Sequence, residues 1–182
     1  MCGLVIPSAW LSLCGVIRHS LALAAALLLA ACVPAQRPLG ANEPPADFLL
    51  VDKSDRTLVL YRDGEEVRRY TGLQFGAERF GHKRFEGDER TPEGRYTIDT
   101  RNPNSAYYLS LRVSYPNAQD RAYAERMGRS PGGDIFLHGQ PNGLPVGRMV
   151  GDWTDGCIAF SNAEMDELWR LVPDGTVIEI RQ

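Results

Sequence analysis

The stretch DGCIAFSNAEMDELWRLVPDGTVIEI, residues 155–180, holds several structural signals in a row. Ser161 followed three residues later by Glu164 is a capping-box pair, in which each side chain accepts from the other residue's backbone N–H. Behind it Met165, Leu168, Trp169 and Leu171 recur at helical spacing, which predicts a helix over 162–172 with Trp169 on its apolar face. Pro173-Asp174-Gly175 breaks that helix, and Val177 to Ile180 is β-branched enough to predict a closing strand. At the other end, Gly156 allows a tight turn ahead of Cys157 and the apolar Ile158.

Outward from that stretch, most of the chain reads as short strands. Residues 48–51 and 57–61 are apolar and β-prone, and Asp63-Gly64 is a hairpin turn signal ahead of 67–71. Residues 94–99 and 108–114 are further strands, and the short apolar run 134–137 ends at His138. Residues 118–127 predict a helix that Gly128 can stop. The expected fold class is mainly β (α+β), a single β-rich domain with one or two helices. Residues 76–94 contain four glycines and residues 131–156 contain seven, and long glycine-rich loops inside a domain are usually functional.

The N-terminal part is of another kind. Residues 21–31, LALAAALLLAA, form an unbroken apolar run behind Arg18 and His19. Eleven residues are too few to span a bilayer as a helix. A basic residue, a short apolar core and small residues before a cut site describe an export signal. Leu29-Ala30-Ala31-Cys32 resembles a bacterial lipobox, which implies that residues 1–31 are a lipoprotein-type signal peptide and that Cys32 is lipidated. Residues 32–46 would then be a proline-rich tether and residues 47–182 the folded domain. The expected location is the periplasmic side of the cell envelope, with a lipid anchor in the membrane. Of the 20 basic residues one, Arg18, precedes Cys32, so the remainder carries 19 basic against 23 acidic residues. Without a basic stripe, nucleic acid is excluded as a partner.

The same division makes the cysteine count informative. Cys2 and Cys14 lie in the signal and Cys32 would be acylated, so the domain keeps one thiol, Cys157. Exported cysteines are usually paired, so a leftover thiol is either inert and buried or chemically useful. A thiol needs a base to become a nucleophile, and histidine is the usual one. His138 lies nineteen residues upstream at the end of an expected strand, where its ring can be held rigidly. Taken singly, Cys157 could be a core hydrophobe and His138 a satisfied core histidine. No Cys or His pair has metal-ligand spacing, so no metal is expected, and no G-x-S-x-G element supports a serine triad.

Several motifs occur together: His138-Gly139, then Thr154-Asp155-Gly156-Cys157, with Thr91-Pro92-Glu93-Gly94 upstream. In this combination the domain resembles the YkuD-type L,D-transpeptidase catalytic domain family. The flanks GDERTPEGRYTIDTRNPNS, residues 87–105, and residues 155–180 look like its YafK-type branch. The resemblance implies that Cys157 attacks a carbonyl at diaminopimelate in peptidoglycan stem peptides, with His138 as base. It implies that the carbonyl of Gly139 orients the ring, and that Thr154 belongs to the motif around the thiol. The resemblance further implies that the N–H groups of Gly156 and Cys157 line an oxyanion hole and that no cofactor is needed. Two departures stand out: Asp155 occupies a position where many members have histidine, and Ala159 one where many have arginine. With that arginine missing, Lys83, Arg84 and Arg148 are the candidates for anchoring substrate, while Tyr107, Tyr108 and above all Trp153 are the aromatic candidates for lining a substrate groove. Alternatives are a hydrolase of the same family, cutting bonds at diaminopimelate including links to a wall-bound lipoprotein, and a catalytically silent peptidoglycan-binding lipoprotein.

Overall fold

Eight strands and two helices are present among residues 39–40, 42–144 and 147–182, which the computed structural model describes. The expected signal, Cys32 and the first part of the tether lie outside these residues. The strands are β1 (Phe48–Asp52), β2 (Thr57–Arg62), β3 (Glu65–Thr71), β4 (Gly94–Ser105), β5 (Tyr108–Val113), β6 (Phe136–His138), β7 (Ile158–Ala159) and β8 (Val177–Arg181). The helices are α1 (Ala118–Arg126), between β5 and β6, and α2 (Asn162–Leu171), between β7 and β8. The fold is therefore mostly β with two helices, as expected.

Local chemistry accounts for the ends of these elements. Asp63 and Gly64 both take positive φ, 52° and 83°, the geometry that matches a two-residue turn to the twist of β2 and β3. Helix α2 begins with the full capping box: Ser161 Oγ accepts from Glu164 N while the Glu164 carboxylate accepts from Ser161 N. Asn117 and Asp120 make a second capping box at the start of α1.

The strands form one sheet in the order β3-β2-β1-β8-β4-β5-β6-β7. β1 and β8 are parallel, as are β6 and β7, and the other neighbours are antiparallel. β4 pairs with β8 from Gly94 to Thr97 and with β5 from Ile98 onwards, so one long strand joins the two halves of the sheet. The outer edge of β7 is not left open. Gln74, just past β3, exchanges backbone hydrogen bonds with Ala159, and the N–H groups of Trp153 and Thr154 donate to Phe75 O. A protected edge cannot recruit another strand, and here the protection also pins both sides of the turn that carries Cys157. Leu49, Leu60, Phe75, Leu137, Ile158, Phe160, Leu168 and Ile178 belong to the single core cluster beneath the sheet.

Candidate active site

Side chains alternate faces along a strand, and this alternation builds the site. In the parallel pair β6–β7, Leu137 lies opposite Ile158, and both are fully buried in the core. Phe136 and His138 therefore point to the other face, and Cys157 arrives beside Phe136 just before β7 begins. The N–H of Phe136 lies 3.4 Å from Cys157 Sγ, and the thiol lies 3.4 Å from the carbonyl of Asp134. His138 Nδ1 lies 2.6 Å from Gly139 O. That contact places the ring proton on Nδ1 and leaves Nε2 with its lone pair, the form a general base needs.

Cys157 and His138 line one cleft of about 490 Å³, together with Ser105, Tyr107, Asp134, Phe136, Trp153, Thr154 and Asp155 among others. The His138 ring is enclosed by aromatic neighbours. Tyr107 lies 4.8 Å from it between ring centroids and Trp153 lies 5.6 Å away, nearly edge-on. Tyr107 comes from the turn between β4 and β5, so the hairpin tip forms one wall of the cleft.

The turn around Cys157 is held from beneath. Gly156 has a φ of 118°, and a Cβ added there would stand 2.4 Å from Arg90 O. Thr91 Oγ1 donates to Gly156 O at 2.9 Å, so the Thr91-Pro92-Glu93-Gly94 segment is clasped to the turn. Lys53 in turn supports that segment. It is fully buried, bonded to Gly81 O at 2.8 Å and paired with Glu93 at 2.6 Å. Thr154 Oγ1 donates to Cys157 O at 2.8 Å and accepts from Gly156 N at 3.3 Å. The amide of Gly156 is thus engaged inside the turn.

Burial sets the charge state of the pair. It pushes the Cys157 thiol up to about 11; the Phe136 N–H opposes that shift, while the negative charges of Asp155 and Asp134 add to it. Burial also holds the His138 imidazole below its ordinary range, against the contact with Gly139 O. At neutral pH both groups are therefore uncharged, a thiol and an imidazole lining one cleft and not a preformed ion pair.

Of the anchoring candidates none lines this cleft. Lys83 is buried, tied to Asp88 at 2.8 Å and to Phe85 O at 3.1 Å, and lines a neighbouring cavity instead. Arg84 stacks on Tyr123 at 4.5 Å, and Arg148 pairs with Glu164 and donates to Gly72 O. Neither arginine is among the residues that line the cleft. His82 is also away from the cleft, set between the N–H of Glu93 and the carboxylate of Asp120. Lys53 was not foreseen as a support, because one lysine after a strand looks like any solvated charge. Of the aromatic candidates, Tyr107 and Trp153 line the cleft, and Tyr108 and Trp169 do not.

A family model described as the YkuD L,D-transpeptidase catalytic domain matches residues 46–180. YafK of Escherichia coli (strain K12) is 27% identical over 141 residues, which cover 71% of this chain and 48% of YafK. YqjB of Bacillus subtilis (strain 168) is 26% identical over 148 residues, 79% of this chain and 76% of YqjB. Both carry a provisional L,D-transpeptidase name. Among solved structures, the helical cell shape determining protein Pgp2 of Campylobacter jejuni superposes with a TM-score of 0.61 at 27% identity. That match covers 82% of this chain and 52% of Pgp2. Bd1075 of Bdellovibrio bacteriovorus gives a TM-score of 0.52 at 29% identity, over 75% of this chain and 48% of that one. The chain spans about half the length of YafK and of Pgp2.

Proposed function

The chain belongs to the YkuD L,D-transpeptidase catalytic-domain family, and from that premise we propose that it is a cysteine acyl-transfer enzyme acting at diaminopimelate in peptidoglycan stem peptides. One observation carries the reading: a thiol just ahead of β7 and an imidazole at the end of the neighbouring parallel strand β6 line the same cleft, with the ring fixed by Gly139 O. Cys157 Sγ attacks an amide carbonyl as His138 Nε2 takes the thiol proton. The intermediate collapses to a thioester when the same nitrogen returns that proton to the departing amine. An incoming amine or water then gives its proton to Nε2, attacks the thioester and restores the thiol. The Cys157 N–H is the donor nearest the developing oxyanion. Pgp2 is described as determining helical cell shape, which supports a role in cell-wall remodelling.

A second reading, hydrolysis at diaminopimelate including bonds that tether a protein to the wall, is favoured by the lining of the cleft. Among the described residues, no lysine or arginine lines it to hold the terminal carboxylate of a tetrapeptide donor. One experiment addresses both readings: incubate the full chain with purified muropeptides and with protein-linked peptidoglycan, and weigh the products. Cross-linked or exchanged stems mark transfer, and shortened stems or released protein mark hydrolysis. If neither substrate changes, acyl chemistry at diaminopimelate is wrong.

The proposal extends to location, with lipidated Cys32 holding the domain at the envelope membrane. Cys32→Ser should move the protein out of the membrane fraction, and unchanged fractionation would contradict the anchor.

A further inference from the structure

Among the described residues two buried side-chain polar atoms have no hydrogen-bond partner, Glu93 Oε1 and Trp153 Nε1. The first is compensated, because Lys53 Nζ lies 2.6 Å from it. The second is not. Trp153 is half-buried and lines the cleft of Cys157 and His138, yet its Nε1 is covered and donates to nothing. A buried N–H without an acceptor is destabilising, and in a folded protein it calls for a reason. Other donors near the thiol are engaged. Phe136 N–H faces Cys157 Sγ, Thr154 Oγ1 donates to Cys157 O, and Gly156 N donates to Thr154 Oγ1.

The backbone that carries this indole is pinned, so the ring is not free to turn towards a partner. Gln74 Nε2 donates to Gly151 O at 2.6 Å. Arg56 forks onto the Asp152 carboxylate through two bonds of 2.7 Å, and the same carboxylate accepts from Phe75 N at 3.0 Å. Trp153 N donates to Phe75 O at 2.9 Å. The ring packs against His138, 5.6 Å away between centroids, and against Tyr107, 5.7 Å away. The donor is thus held in place before any ligand arrives, which lowers the cost of recognition. Tyr107 is the neighbour that can yield, since it stands on the turn between β4 and β5 and is about two-fifths exposed.

We propose that Trp153 is a specificity-determining residue, whose Nε1 donates to a carbonyl oxygen of the peptide that enters the cleft once the Tyr107 ring has moved aside. An indole N–H can donate but not accept, so it selects an acceptor, and a peptide supplies carbonyl oxygens along its length. The bond forms on binding, ahead of any attack by Cys157. The identity of the peptide rests on the acyl-transfer reading, whereas the unmet donor can be tested without a ligand. Replacing Trp153 by 3-benzothienylalanine keeps the shape of the ring and exchanges the N–H for sulfur, which cannot donate. In the free full chain the urea midpoint should equal or exceed that of the wild type, because an unmet donor has been removed. A lower midpoint would mean that the N–H already has a partner, such as a ring face of His138 or Tyr107, and overturns the proposal.

Binding of a tetrapeptide muropeptide is then measured in full chains that carry Cys157→Ala, so that nothing turns over. The isostere should weaken binding roughly tenfold, the loss expected from one hydrogen bond to a buried donor. With tryptophan in place, the indole N–H resonance of Trp153, identified by its absence in Trp153→Phe, should move downfield as muropeptide is added, while that of Trp169 stays. Unchanged affinity with the isostere, or a Trp153 resonance that does not move in the bound chain, overturns the proposal and leaves the acyl-transfer reading intact. Absence of muropeptide binding to either chain contradicts the acyl-transfer reading and this proposal with it.

Discussion

His138→Gln is expected to lower product formation ~10²–10⁴-fold, the usual contribution of a positioned general base, and Cys157→Ala to abolish it. Neither change should unfold the domain. Alanine removes only the sulfur from a half-buried position, and glutamine keeps most of the imidazole's volume. The pH dependence separates the two roles. Both members of the pair are neutral at pH 7, because burial holds the thiol at about 11 and the imidazole below its ordinary value of 6.5. In the wild type the acid limb of activity should lie below the ordinary imidazole range, since the ring fails as a base only when pH falls through its lowered pKa. No alkaline limb is expected near the ordinary thiol value. In His138→Gln, activity should climb as pH rises towards 11, because hydroxide makes the thiolate that the ring no longer makes. His82→Ala should have a far smaller effect, since that ring serves Glu93 and Asp120 outside the cleft. The measurement is product formation by all three variants across pH on one muropeptide or wall-linked substrate. Near-normal activity in either Cys157→Ala or His138→Gln contradicts the pair, and an inactive, folded His82→Ala means that the base is misassigned.

Gly156→Ala should be nearly as damaging by a different route. The residue holds a positive φ that side chains rarely adopt, and the new Cβ would overlap the carbonyl of Arg90, which is backbone and cannot swing aside. The strain and the displacement together should cost about 3 kcal/mol. They should also pull the turn away from the Thr91 hydroxyl that clasps it. Denaturant unfolding reads the first effect, and turnover by the fraction still folded reads the second. Wild-type stability together with wild-type turnover would contradict the geometry of this turn.

Much of this arrangement was legible in the sequence because local rules determine it. The Asp63-Gly64 hairpin, the Ser161–Glu164 capping box and the strand after Pro173 each depend on neighbours within a few residues. The placement of His138 at the end of β6 was legible for the same reason. β7 was not, since two residues carry no periodicity and its pairing depends on β6 and Gln74 from distant parts of the chain. The length of β4 was also hidden. Asn102-Pro103-Asn104 has the composition of a turn, yet it continues the strand through irregular pairing, and the turn comes later at Ala106-Tyr107. The role of Lys53 was out of reach because a fully buried lysine is rare and its partners, Gly81 O and Glu93, are contributed by segments more than twenty residues away. Lys83 and Arg84 are candidates in the sequence because they lie in a glycine-rich segment. The structure instead ties Lys83 to Asp88 and stacks Arg84 on Tyr123, because local carboxylates and ring faces compete for every cation.

The covalent intermediate gives the most direct test of the central claim. The full chain is mixed with a tetrapeptide muropeptide or with protein-linked peptidoglycan fragments, quenched with acid within one turnover, and weighed intact. Peptide mapping then locates the adduct. Acyl transfer through the thiol predicts a mass increase equal to the stem peptide less its departing amine, carried on Cys157 and absent in Cys157→Ala. Product formation without that adduct, together with equal product from Cys157→Ala, would contradict it.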